Sequence, residues 1–128
     1  MPAKVVDASA LAALLFGEAE GALIAERLRD TDLIAPALLP FEIANACIKK
    51  MRRQPDQRDA LMVAFGMLAR MEVGIVEVDH DEVVRLADRS GLTSYDASYL
   101  WLARRMSYEL VTLDRRLVAA VSATNRPA

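Results

Sequence analysis

A chain of 128 residues fits one compact domain with a substantial core. With 54% apolar and 27% charged residues it is globular rather than disordered, and acidic or basic residues interrupt each apolar run before it reaches bilayer-spanning length. A net charge of −2 gives no global attraction to nucleic acid, and a single cysteine, Cys47, excludes an internal disulfide and reads as an inert core thiol.

The chain opens on "KVVD", a short β-branched run that predicts a first strand. The nearly all-apolar "SALAALLF" follows as a buried helix interrupted by Gly17, and "EAEGALIAERLRD" continues helically. "DLIAP" is a second strand stopped by Pro36, and "PFEIANACIKKMRR" a helix with Pro40 at its first position. Pro55 separates it from a further helix, "DQRDALMVAFGMLARM", in which Met62, Met67 and Met71 are expected to pack the core. "IVEV" is a third strand. "DHDEVVRLADRSG" is a helix with Asp79 and Glu82 as its capping box and Gly91 as its terminator. A helix running from Ser94 to Met106, the strand "ELVTL" and the helix "DRRLVAAV" complete the order before a short polar tail, "SATNRPA". Strands alternating with helices predict an α/β fold, a parallel sheet covered on both faces. Asp7 precedes the first apolar stretch and "FGEAEG" is a poor cleavage site, so no signal peptide is read and a cytoplasmic protein is expected.

Ligands of such sheets bind beyond the carboxyl ends of the strands. Asp7 follows the first strand, with Ser9 two residues on. Glu42 lies early in the helix after the second. Asp114 follows the fourth, preceded by Thr112. Asp96 lies in the first turn of the helix that feeds the fourth strand, on the same face as Tyr99, Leu100, Ala103 and Met106. Four acids therefore gather at one end of the expected sheet.

Each has a bland reading. Asp7 and Asp114 suit helix caps, Asp96 completes a capping box with Thr93, and Glu42 alone reads as a solvated residue near a helix N-terminus. Capping does not, however, require Asp96 to lie on an apolar stripe, nor acids to collect beyond several strands. Clustered carboxylates repel and raise one another's pKa, a conflict that a hard divalent cation resolves. Oxygen-only donors suit Mg²⁺ or Mn²⁺, and a chain with one histidine and one cysteine is poorly equipped for zinc. The basic clusters "KKMRR", Arg104–Arg105 and Arg115–Arg116 read first as solvated helix ends. The helix dipole explains the first two, not the third. His80 reads as a surface residue, and Trp101 as half-buried or a partner contact.

The ordered set "VVDASAL", "LPFEIANA", "LTSYDASYLWLA" and "LVTLDRRL" resembles the PIN domain, specifically VapC-type toxins of type II toxin–antitoxin systems, across Asp7 to Leu117. The resemblance implies a single domain over residues 1–128, an α/β/α sandwich with a mostly parallel four- to five-stranded sheet. It implies an Mg²⁺- or Mn²⁺-dependent ribonuclease with Asp7, Glu42, Asp96 and Asp114 as catalytic and metal-binding residues, and Ser9 and Thr112 as supporting hydroxyls. It further implies RNA as substrate, a cognate antitoxin whose C-terminal segment wraps the toxin, and a homodimer; helices between Ala10 and Leu28 and between Asp59 and Met71 would supply the antitoxin groove. The family often has Asn before the final Asp, where this chain has Leu113, and a fifth strand, for which "SATNRPA" is a poor candidate.

Two other readings stand beside it. A phosphoaspartate-forming phosphatase needs a second Asp two residues after the first, and Ser9 occupies that place. A non-catalytic PIN-like module that only binds RNA or protein has no need to keep all four acids.

Overall fold

The computed structural model describes residues 2–124. Four strands, β1 (Ala3–Val6), β2 (Asp32–Ala35), β3 (Gly74–Ile75) and β4 (Glu109–Val111), form one parallel sheet in the order β3-β2-β1-β4. Seven helices surround it: α1 (Ala8–Leu15), α2 (Gly21–Leu28), α3 (Leu39–Arg53), α4 (Arg58–Gly66), α5 (His80–Ser90), α6 (Ser94–Met106) and α7 (Arg115–Thr124). This is the expected α/β class. The central strand β1 is buried on both faces, with Val5 and Val6 fully covered, as Val111 is on its neighbour β4. Around them pack Leu11 of α1, Ile43 of α3 and Leu100 and Leu102 of α6.

The order of strands matters for function. The chain winds outward from β1 to β2 to β3, then returns to place β4 on the other side of β1. Strand order therefore reverses between β1 and β4, where the crevice of a doubly wound sheet lies. The backbone N–H of Asp7 still donates to Val111 O (3.1 Å), so β1 and β4 stay paired up to that crevice.

Local details depart from expectation. The second helical stretch starts only at Gly21, after a turn. A side chain at Gly21 would stand 2.6 Å from the Ala13 carbonyl oxygen, so glycine allows α2 to pack closely on α1. The helix expected over 56–71 ends at Gly66 and tightens into a 3₁₀ turn, Met67–Met71, consistent with a glycine weakening its last turn. Met62 and Met67 are exposed, and only Met71 packs against the core. Strand "IVEV" shrinks to Gly74–Ile75 at the sheet edge, with Val76 N still donating to Ala35 O (3.0 Å). On the α6 stripe Tyr99, Leu100 and Ala103 are buried, while Met106 emerges to 40% exposure at the helix end.

The described residues contain four strands and no fifth. The start of the expected tail, Ser122–Thr124, is the end of α7, which seats Leu117, Ala120 and Val121 against the core at helical spacing. The remainder of the tail, 125–128, lies outside the described residues.

Candidate active site

Asp7 is the innermost of the four acids, only 4% exposed. It caps α1: Ala10 N donates to its Oδ1 (3.1 Å), and Ser9 Oγ donates to the same oxygen (2.7 Å). Thr112 Oγ1 donates to the other oxygen, Oδ2 (2.6 Å). Both hydroxyls also accept from the backbone beyond β4, Ser9 Oγ from Leu113 N (3.0 Å) and Thr112 Oγ1 from Asp114 N (3.0 Å). Each hydroxyl proton is thereby left for the carboxylate, and the two side chains tie the β1–α1 junction to the β4–α7 junction across the crevice. At position 113, a leucine, it is the backbone N–H that serves this contact with Ser9.

Asp114 caps α7, its Oδ1 accepting from Arg116 N (2.8 Å) and Leu117 N (3.2 Å). Its second oxygen takes no hydrogen bond among the described residues. Capping and site formation thus coexist in Asp7 and Asp114, because a carboxylate has two oxygens and a cap needs one. Asp96 sits in the first turn of α6, its backbone N–H donating to Thr93 Oγ1 (3.1 Å). Glu42, in the first turn of α3, is half-buried rather than solvated, and Tyr99 Oη donates to its Oε1 (2.6 Å).

The acids feel one another. Burial is the main cause that raises the Asp7 carboxyl above its ordinary value; the charge of Asp114 adds to it, while bonds from Thr112, Ala10 and Ser9 oppose. Burial likewise raises Glu42, and Asp96, Asp7 and Asp114 all push it further, against the pull of the Tyr99 hydroxyl. Asp96 is raised by burial and by Asp114, with Arg116 and Thr93 partly compensating. Tyr99 in turn is pushed well up, by burial first and then by its bond to Glu42. Among the described residues no three acidic, histidine or cysteine side chains already form a tight metal-holding group. The four carboxylates are coupled by charge.

Two contributors escaped the sequence reading. By spacing alone Tyr99 is part of the apolar stripe; a buried phenol needs a partner, and its place one turn after Asp96 is the signal that points there. The helix dipole does not account for Arg116, whose charge acts on Asp96. Trp101 and Glu82 resolve together: Asp79 Oδ1 caps α5 through Glu82 N (3.0 Å), while the Glu82 side chain accepts from Trp101 Nε1 (2.7 Å) instead of closing the capping box. Cys47 is buried and its thiol is pushed up by that burial.

A family model described as "PIN domain" matches residues 4–122. The chain is 41% identical over 120 residues to a VapC ribonuclease of Mycobacterium bovis, covering 88% of this chain and 87% of the relative. It is 35% identical over 133 residues to the ribonuclease VapC3 of Pyrobaculum aerophilum, covering 96% and 98%. The crystal structure of PAE2754 from Pyrobaculum aerophilum superposes with a TM-score of 0.74 at 33% identity, covering 94% of this chain and 87% of that one. The sheet order, the four acids around its reversal point and these likenesses agree, and the chain belongs to the PIN-domain family, among its VapC members.

Proposed function

We propose that this protein is a divalent-metal-dependent endoribonuclease and the toxin of a type II toxin–antitoxin pair, with residues 1–128 as one PIN domain acting in the cytoplasm. The observation that carries the reading is the gathering of Asp7, Glu42, Asp96 and Asp114 at the strand-order reversal, close enough that the first three have their carboxyl pKa values raised by burial and by neighbouring acids. The donor set fits Mg²⁺ or Mn²⁺: every donor is a carboxylate oxygen, four acids face one partly compensating cation, Arg116, and Asp7 is held ready by three hydrogen bonds. Asp7 and Asp96 are the principal ligands in this reading, with Glu42 and Asp114 acting directly or across one water. A bound divalent ion supplies positive charge against the scissile phosphodiester and lowers the pKa of water in the site.

The chain's own residues do the rest. Ser9 and Thr112 fix the Asp7 carboxylate in one orientation. Tyr99 occupies one oxygen of Glu42 and leaves Oε2 for a proton or a water, and burial suits Glu42 to hold that proton nearer neutral pH than a free glutamate. Arg116 brings positive charge to the edge of the acidic field, where a polyanion must approach. RNA binding is therefore expected to weaken with salt.

An antitoxin partner and a homodimer belong to the same reading. Exposed apolar side chains on α4 and the turn after it, Met62, Val63 and Met67, support the expected groove there; α1 is largely committed to the core, with Ala10 to Ala13 buried. No helix among the described residues is long and apolar enough to cross a membrane.

The test incubates partner-free protein with single-stranded and structured RNA in Mg²⁺, Mn²⁺ or EDTA, beside Asp7→Asn and Asp96→Asn. Cleavage that needs the ion and both acids is expected. Cleavage indifferent to EDTA and to both substitutions overturns the proposal, and tight RNA binding without any cleavage favours a binding module.

A further inference from the structure

A second cluster of like charges lies outside the acidic site. A cleft of about 350 Å³ between α5 and α6 is lined by Glu82, Arg85, Leu86, Arg89, Trp101 and Arg104. Elsewhere on the surface several cations are paired: Lys4 and Arg27 with Glu109, Arg29 with Glu26, and Lys50 with Glu18. Among the described residues Arg85, Arg89 and Arg104 form no ion pair or hydrogen bond. Glu82, the one acid of the cleft, is engaged by the Trp101 indole N–H. The charges press on one another: partial burial and then the charge of Arg89 pull the Arg104 guanidinium below its ordinary value.

The plain account is that Arg89 and Arg104 complement the C-terminal dipoles of their helices, since each lies in a last turn. That leaves Arg85 unexplained, and it does not ask the two helix ends to send their arginines into the same cleft. Guanidinium groups match phosphate oxygens in charge and fork geometry, and a half-buried indole offers a face on which a base stacks. Arg104 lies eight residues beyond Asp96 on α6, about 12 Å along the axis, so the cleft is within a few nucleotides of the acids.

We infer that the α5–α6 cleft is an RNA-backbone site, in which Arg85, Arg89 and Arg104 hold a phosphodiester neighbouring the scissile one and Trp101 carries the adjoining base. The inference rests on the ribonuclease reading for the identity of the polyanion. It assigns the cleft to positioning, away from the reacting atoms: the acids repel RNA, and this cationic cleft anchors the strand beside them.

Trp101 is the only tryptophan of the chain, so its fluorescence reports on this cleft alone. A short single-stranded oligoribonucleotide is titrated into protein in EDTA, where binding is read without metal-dependent cleavage. Saturable quenching of Trp101 is expected. Arg89→Gln and Arg104→Gln should each weaken binding severalfold and lower the slope of log affinity against log salt by about 0.7, the share of one phosphate contact on a single strand. Arg89→Lys should recover part of the affinity, and circular dichroism confirms that the variants fold. Absence of quenching overturns the inference, as does affinity unchanged in both glutamine variants, or quenching by polyglutamate but not by RNA. Hydrolysis of the same RNA in Mg²⁺ is read separately. Arginine-dependent binding without hydrolysis sinks the nuclease reading and keeps the cleft, whereas hydrolysis with no arginine effect does the reverse.

Discussion

The acidic crevice and the arginine cleft are both gatherings of like charge, yet they are built in opposite ways. Asp7 is buried and held by three donors on two oxygens, and its supporting hydroxyls are themselves fixed by backbone N–H groups. The arginines have no such ties; the cleft walls are held by the packing of α5 on α6, with one exposed bond, Trp101 to Glu82, across them. A crevice that must place a phosphorus and a water within tenths of an ångström gains from rigid ligands. A surface that only retains a flexible strand does not. Tethering, more than charge, separates where chemistry is expected from where binding is.

The comparison can be broken first at the acids. Asp7→Asn and Asp96→Asn should each lower RNA hydrolysis by more than about a hundredfold, beyond the usual loss for a group that merely supports a ligand. Thr112→Val should cost about 10–100-fold in activity and, because a buried carboxylate oxygen loses its donor, about 1–3 kcal/mol in unfolding free energy. Tyr99→Phe should have a smaller effect on stability, about 1 kcal/mol, with a displaced pH–rate profile as Glu42 loses the hydroxyl that pulls its pKa down. Arg89→Gln should leave stability within about 0.5 kcal/mol of the parent while weakening RNA binding. A large destabilisation by Arg89→Gln, or none by Thr112→Val, would erase the distinction between the two regions.

A pH dependence sharpens it. Asp7, Glu42 and Asp96 have folded pKa values raised above those of the free side chains, 3.8 for Asp and 4.5 for Glu. Above those values the folded chain therefore binds more protons than the unfolded one, and stability falls as pH rises through the raised pKa values. Metal-free protein should melt at a higher temperature near pH 5 than at pH 7. Added Mn²⁺ should raise the melting temperature at pH 7 more than at pH 5, because protons and cation compete for the same oxygens.

Much of this was legible in the sequence. Alternating β-branched runs and helical periods gave the parallel sheet, and the acids just past the strands marked its carboxyl edge. What was not legible depended on distant segments meeting. Glu42 looked solvated because its partner, Tyr99, is 57 residues away. The run "IVEV" predicts a four-residue strand, whereas only Gly74 and Ile75 follow β2 in register. Arg85 and Arg89 share a face of α5 by their spacing, but Arg104 joins them only through the packing of α5 on α6. Capping was legible and misleading at once, since Asp7 and Asp114 do cap their helices and still lend the crevice their charge.

Whether the acids hold a divalent cation is decided by calorimetric titration of Mn²⁺ into partner-free protein and into Asp7→Asn and Asp96→Asn. Saturable binding in the parent, weakened at least about tenfold by each substitution and accompanied by proton release near pH 6, is the predicted result. Equal Mn²⁺ affinity in all three proteins would contradict it.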